Sequence, residues 1–224
     1  NHPDGLLALA TTFKDLYLLG SSQGEIHYNS GNPDFPFESY PGGIIEMGIH
    51  APYSLAKSSL GLIWLADNDD GDLMVVRAAG VQTEVLTDED MTWQLNQLVT
   101  TADAYASIYR RAGHTFYALT FPTEGRTFEI DLLTRFWHER KSPGLGRWRA
   151  GGIGYWDRKL IVGDYDNGNF YELRDNVYTD NGGAIERLRE TQIVHVKNRE
   201  MTFHELTLEF DPGLGNNTGA VSYP

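Results

Sequence analysis

Cysteine is absent from all 224 residues. Disulfide staples, thiolate zinc sites and cysteine nucleophiles are thereby excluded, and the composition is compatible with folding in a reducing cytosol. No hydrophobic run approaches the ~20 residues a transmembrane helix requires, and no signal-peptide pattern opens the chain, so no membrane partner is expected. Basic residues are scarce: 18 Lys and Arg stand against 31 Asp and Glu, a formal net charge of −13. Phosphate contacts come chiefly from Lys and Arg, so most of such a surface repels DNA. Signals for chemistry are also missing. The seven histidines, among them His2, His195 and His204, show no H-E-x-x-H spacing, and neither a G-x-S-x-G elbow nor a phosphate-cradling glycine loop occurs. Nothing singles out one carboxylate pair for glycoside hydrolysis. No enzyme activity and no cofactor are expected.

What is present is turn-forming and β-forming. Glycine contributes 24 residues and aromatics 12% of the chain, which suits a turn-rich β architecture. The run from Arg158 to Leu173, RKLIVGDYDNGNFYEL, reads as two apolar strands around a polar turn ending in glycine. The same design recurs at Asp15–Asn29, Gly61–Arg77 and His114–Asp131. Aligning Gly24, Gly71, Gly125 and Gly168 gives spacings of 47, 54 and 43 residues. A hairpin recurring at that length fits the blades of a propeller, with an irregular β-sandwich as the other arrangement open to it. The expected fold is therefore all-β: one incomplete propeller-like domain over residues 1–224, its hairpin blades centred near 24, 71, 125 and 168.

Between these hairpins the chain is less regular. Pro33 and Pro36 forbid a central strand in the connection after Asn29, whose Phe35, Phe37 and Tyr40 are expected to pack onto the sheet. A strand is expected around Ile44–Ile49 and another near Val81–Leu86. One short inserted helix is predicted over Thr87–Leu98: Thr87 as its cap, acidic residues in its first turn, and Met91, Leu95 and Leu98 along one buried face. It would account for the longest of the three spacings. Two longer strands, near Leu188–Val196 and Phe203–Phe210, are expected to form an edge or subdomain within residues 185–224. Asn1 at the start and the unconnected Gly213–Gly219 loop suggest a fragment of a longer chain or a truncated gene product.

Two local features could carry function. Asp164-x-Asp166-x-Gly168 and Asp67-x-Asp69-x-Gly71 resemble calcium loops, but the glycine falls one place early for an EF-hand and no glutamate follows at the twelfth position. They also resemble the Asp-box turns of sialidases, a structural hairpin device. Asp164, Asp166, Asp67 and Asp69 are thus weak metal candidates beside the plainer reading as hairpin turns. The second feature runs from Arg135 to Arg149, where Arg135, Arg140, Lys141, Arg147 and Arg149 interleave with Phe136, Trp137, His138 and Trp148. Such a mixture fits a solvated loop over core tryptophans, a protein interface, or contact with a nucleic-acid backbone. The strand–turn–Trp137 cadence is also that of kelch-like propellers, where a tryptophan covers the next blade.

Over most of its length, in order, the sequence resembles the packaged-DNA stabilisation proteins of tailed phages, also called tail accessory factors. The resemblance is carried by Pro3–Phe37 (PDGLLALATTFKDLYLLGSSQGEIHYNSGNPDFPF), Ala51–Leu65 (APYSLAKSSLGLIWL), Gly113–Arg140 (GHTFYALTFPTEGRTFEIDLLTRFWHER) and Val162–Leu173 (VGDYDNGNFYEL). It implies a β-propeller-like virion protein of the short tail, a head–tail connector without catalytic residues. Its expected partners are further copies of itself in a ring, six being the expected number, the portal and adaptor, and other tail parts such as needle and tailspikes. Packaged DNA would pass nearby without sequence-specific binding. The expected location is the virion tail, after assembly in the host cytoplasm. Members of that family are longer, which also points to a fragment here. Interface candidates are Phe35, Phe37, Trp137, Arg140, Arg147 and Trp148. The alternative from another class is a carbohydrate-binding or sialidase-like propeller domain.

Overall fold

The computed structural model describes residues 4–12, 14–68 and 70–188, with isolated positions at 202, 205 and 207. The strands expected near Leu188–Val196 and Phe203–Phe210, and the Gly213–Gly219 loop, lie outside the described residues. The chain divides into two compact units, Asn1–Leu173 and Arg174–Pro224.

The first unit is a row of antiparallel meanders. The first blade comprises β1 (Ala8–Thr12), β2 (Asp15–Leu19), β3 (Gly24–Asn29) and β4 (Phe37–Ile45); the second comprises β5 (Ala56–Ser58), β6 (Gly61–Asp67), β7 (Leu73–Ala79) and β8 (Gln82–Val85). The third holds β9 (Tyr105–Arg111), β10 (His114–Phe121), β11 (Arg126–Asp131) and β12 (Trp137–Glu139), and the fourth β13 (Ala150–Trp156), β14 (Lys159–Asp164) and β15 (Phe170–Glu172). Each strand pairs with its sequence neighbour, so no connection crosses a sheet. The fold is all-β and propeller-like, as expected. In the second unit a small hairpin joins β16 (Thr179–Asp180) to β17 (Gly183–Ala184).

The hairpin repeated in sequence is in every case the second and third strands of a blade. In the first three blades these are the strands flanked by sheet on both edges, and in the second and third blades they carry buried residues on both faces. Thus β6 is buried from Gly61 through Ala66. Its alternating residues face two ways: Leu62, Trp64 and Ala66 meet Tyr17, Leu19, Ile26 and Ile45 of the first blade. Ile63 and Leu65 meet Tyr117, Leu119, Phe121, Phe128 and Ile130 of the third. A third cluster, with Tyr109, Ala118, Trp148, Leu160 and Val162, joins the third blade to the fourth. Full burial of each such side chain contributes roughly 1.5–3 kcal/mol, so these three interfaces dominate the stability of the unit. Two large polar side chains inside are partnered: the Trp64 indole N–H donates to the Gly48 carbonyl at 2.8 Å and the Tyr117 hydroxyl to the Ser54 carbonyl at 2.9 Å.

The helix α1 (Glu89–Asn96) stands between the second and third blades, where the longest repeat spacing required an insertion. Its cap is Asp88 rather than Thr87: the Asp88 carboxylate accepts from the Met91 N–H at 2.8 Å, and a charged acceptor suits the helix dipole better than a hydroxyl. Met91 and Leu95 are buried as expected, while Leu98 lies past the helix end and packs partly against the same cluster.

Other expectations are corrected. Gly71, Gly125 and Gly168 have left-handed φ values in their turns, but Gly24 opens β3 instead. The preceding turn is closed by the Gly20 N–H on the Gln23 carbonyl and by Asp4, whose carboxylate accepts the Ser22 and Gln23 N–H groups. The strand expected at Ile44–Ile49 lies earlier, at Phe37–Ile45. It tolerates Pro41 because it is an edge strand, with a bulge opposite Glu25 to His27. Phe35 does not pack onto the sheet; it is 65% exposed and meets only the edge of Phe37, at 6.3 Å between ring centres.

Two glycines separate conformational need from steric need. Gly61 has φ +125° and an added Cβ would lie 2.1 Å from the Ala78 carbonyl oxygen, whereas Gly71, φ +86°, has open space around it. Gly71→Ala should therefore cost about 1–2 kcal/mol, the left-handed penalty alone. Gly61→Ala should cost at least about 3 kcal/mol, because strain and overpacking add. Urea unfolding midpoints of the two variants check the order; equal losses would show that the backbone at Gly61 relaxes.

Candidate functional site

The basic and aromatic run from Arg135 to Arg149 forms the outer strand of the third blade and the connection to the fourth. Its position follows from β11, in which Phe128 and Ile130 face the second blade while Thr127, Glu129 and Asp131 face the other way and are also buried. A buried carboxylate in the middle of a sheet requires cationic or hydrogen-bonding partners. The connection supplies them.

Arg140 Nη1 lies 2.9 and 3.0 Å from the two Glu129 carboxylate oxygens and donates to the Tyr109 hydroxyl at 2.5 Å. The Tyr109 hydroxyl in turn donates to Glu129 at 2.6 Å, and His138 Nε2 donates to Glu129 at 2.9 Å. The guanidinium also lies over the Trp148 ring, 3.9 Å from its centre. Burial pushes the Glu129 carboxyl up, but the His138 hydrogen bond, the Arg140 charge and the Tyr109 hydroxyl outweigh it and hold it below its ordinary value. Burial above all raises Tyr109. Around this centre Trp148 donates its backbone N–H to Thr127 Oγ1 at 3.3 Å, and the Thr120 and Thr127 hydroxyls bond at 3.1 Å.

The other cations of the run are engaged as well. Arg147 donates to the Tyr105 hydroxyl at 2.8 Å and stacks on Tyr165, 3.6 Å from its ring centre. Arg149 pairs with Asp164 at 2.5 Å and lies over Tyr171. Arg135 pairs with Glu84 of β8, and Lys141 with Glu139 at 3.4 Å. Trp137, half-buried, reaches the preceding blade rather than the next one, its indole N–H donating to the Leu86 carbonyl at 2.9 Å.

Of the six interface candidates, then, Arg140 and Trp148 come together as a stacked pair. Arg147 lies on the same connection, Trp137 faces the second blade, and Phe35 and Phe37 belong to the first. Trp148 is only 5% exposed, so in this unit it fills core beneath Arg140. Sequence reasoning missed Glu129, Tyr109, Tyr105 and Tyr165 as partners. The glutamate left a usable signal: it sits alone among apolar neighbours in Phe128-Glu129-Ile130, on a strand that must be central.

The aspartates of the turns are occupied locally. Asp164 accepts the Asp166 N–H at 2.8 Å with one oxygen and pairs with Arg149 through the other. Burial pushes its carboxyl up, but the Asp166 N–H and Arg149 hold it below the ordinary value. Asp67 meets His50 at 3.2 Å, and Asp69 lies outside the described residues. Among the described residues no group of three His, Asp or Glu side chains is placed to hold a metal ion.

This row of antiparallel meanders has a counterpart among known families. Residues 1–178 match the family model described as Phage_stabilise, Bacteriophage P22 Gp10, beta-propeller. The chain belongs to this family. The match spans all four blades and ends just inside the second unit. No curated protein matches the chain. Membership in Phage_stabilise gives it a phage structural role in DNA stabilisation, as a virion component.

In this phage protein the wedge around Glu129 has a pH signature. The carboxyl is depressed in the folded state, so its ionised form adds stability above the unfolded value near 4.5, and that stability is lost as pH falls through the folded value. Glu129→Gln should flatten the acid limb of stability below about pH 4.5. Arg140→Met, which strands a buried charge, should cost about 3–5 kcal/mol near neutral pH. Arg147→Met should cost no more than about 2 kcal/mol. Denaturant titrations at several pH values check all three; an unchanged acid limb in Glu129→Gln would remove Glu129 from the account.

Proposed function

We propose that this chain is part of a tail accessory protein of a short-tailed phage. It is a head–tail connector that joins other copies of itself in a ring, with six as the expected number, below the portal and its adaptor. There it helps retain the packaged genome. Assembly takes place in the host cytoplasm and the product remains in the virion tail. The observation that carries this reading is the family match over residues 1–178. The structure adds support from what it does with its cations. Along the basic stretch the arginines are spent on carboxylates and aromatic rings within the protein, which leaves that stretch little to offer phosphate, on a chain of formal charge −13. Beside a DNA conduit such a surface lets the duplex pass without sticking, since each phosphate neutralised adds salt-dependent affinity. No cofactor and no catalytic step enter this role.

The carbohydrate-binding or sialidase-like alternative would be favoured by an arginine, a tyrosine and a carboxylate converging on an open pocket. Those residue types do converge, as Arg140, Tyr109 and Glu129, but Tyr109 and Glu129 are each 1% exposed and bonded to one another. A sugar has no access to them.

Two measurements test the reading. Light scattering of the full gene product mixed with its cognate portal–adaptor complex should show addition of a fixed multiple of subunits; a monomer that ignores the complex would overturn the connector role. Binding to duplex DNA at physiological salt should be weak and independent of sequence. Tight binding would reverse the account of the acidic surface.

A further inference from the structure

His50 lies in the connection from the first blade to the second, and its backbone N–H donates to the Leu65 carbonyl at 2.9 Å. That bond sets its ring beside the end of β6. Nδ1 lies 3.2 Å from Asp67 Oδ2, and Nε2 lies 2.8 Å from Thr101 Oγ1. Asp67 is the last residue of β6, and Thr101 stands in the connection from α1 to the third blade. Three segments, 17 and 51 residues apart, thus bring a carboxylate, an imidazole and a hydroxyl into one line. Among the described residues the other histidines that meet a carboxylate, His27, His114 and His138, carry no hydroxyl on the second ring nitrogen. The group is also open. The Glu129 side chain at the centre of the sealed wedge is 2% exposed, whereas those of His50 and Asp67 are 24 and 36% exposed.

The order of the three groups sets their roles. A carboxylate only accepts hydrogen bonds, so in the neutral ring the proton sits on Nδ1 and the Nε2 lone pair faces the Thr101 hydroxyl. A hydroxyl that donates to a neutral imidazole can lose its proton as it attacks, and the carboxylate behind the ring steadies the imidazolium that forms. Thr101 opens a turn closed by the Ala104 N–H on the Thr101 carbonyl at 3.2 Å. The Ala102 and Asp103 N–H groups of that turn have no acceptor among the described residues, which leaves them available to a developing oxyanion. The surroundings select the substrate. The Thr100 N–H is held by the Glu124 carboxylate at 2.7 Å, and Asp103 follows two residues after Thr101. With carboxylates on either side, an anionic substrate is repelled and a neutral one is not.

We infer that Thr101, His50 and Asp67 form an acyl-transfer site that cleaves small neutral carboxylic esters, an activity separate from the tail role proposed above. Thr101 Oγ1 adds to the ester carbonyl carbon while its proton passes to His50 Nε2. The tetrahedral intermediate collapses, the bond to the leaving oxygen breaks, and that oxygen takes the proton from Nε2 as the alcohol departs. Water then adds to the acylated threonine, giving its proton to Nε2. The bond to Thr101 breaks, the proton returns to Oγ1, and the carboxylic acid leaves. Ester and water have become acid and alcohol, with no change of oxidation state. Asp67 touches no substrate; it is the positioning residue that holds the ring in the tautomer the first step needs.

p-Nitrophenyl acetate is the probe. The full chain should release p-nitrophenol faster than buffer does, and the intact mass should rise by one acetyl group, which peptide mapping places on Thr101. Thr101→Val should abolish the adduct. His50→Gln should slow its formation by at least roughly 10²-fold. Asp67→Asn keeps a hydrogen-bonding side chain of the same shape but admits the wrong tautomer, so it should keep the parent's urea midpoint and still slow acylation at least about tenfold. Thr101→Ser, a less crowded hydroxyl in the same place, should match or exceed the parent. A residue of purely structural importance would show neither that rescue nor the separation of rate from stability. No adduct on the parent, an adduct on another residue, or an Asp67→Asn variant as fast as the parent would each overturn the site. Faster reaction with the hemisuccinate ester of the same phenol would overturn the assignment to neutral substrates.

Discussion

A sheet of three or four short strands with an apolar face cannot stand in water by itself. Each blade of this protein is such a sheet, and what makes it stable is the blade beside it. Leu62 and Trp64 go one way from β6 while Ile63 and Leu65 go the other, so a single strand of seven residues feeds two separate cores. Interfaces of this kind hold the first unit together, and the hydrogen-bonded ladders within each blade keep the two faces in register. The helix α1 adds Met91 and Leu95 to one of these cores without altering the plan.

Polar residues appear where this plan would otherwise fail. The back of β11 presents Thr127, Glu129 and Asp131 to a buried interface, and the connection to the fourth blade answers with Arg140 and a covering Trp148. Positive charge that looks in sequence like a binding surface is in this fold an internal counterweight.

Much of this was legible in the chain. The second and third strands of every blade stood out because they are written in β-branched and aromatic residues around a polar turn, most densely in β6 and β11, which are buried on both sides. The outer strands were hard to see for the converse reason. Strand β8, Gln82–Val85, is exposed throughout, and β12 is three residues long. The first turn misled because Gly24 stands at the place of a turn glycine while the carboxylate of Asp4, remote in sequence, closes the actual loop. Phe35 misled because aromatic content was read as burial. The candidate site was found by composition but not understood by it. No pattern in Arg135–Arg149 states that its counter-charges lie on strands β8, β11 and β14.

Because every strand pairs with its neighbour in sequence and every core joins consecutive blades, the native contacts of the first unit are short in chain separation. Such a topology has little loop-closure entropy to overcome, and its stability behaves as a sum over neighbouring repeats. A ribosome extruding this chain releases one meander at a time, and each finds its packing surface already formed by the one before. The nascent polypeptide thus never waits for a distant partner, except at the first blade, whose inner face stays open until β6 emerges.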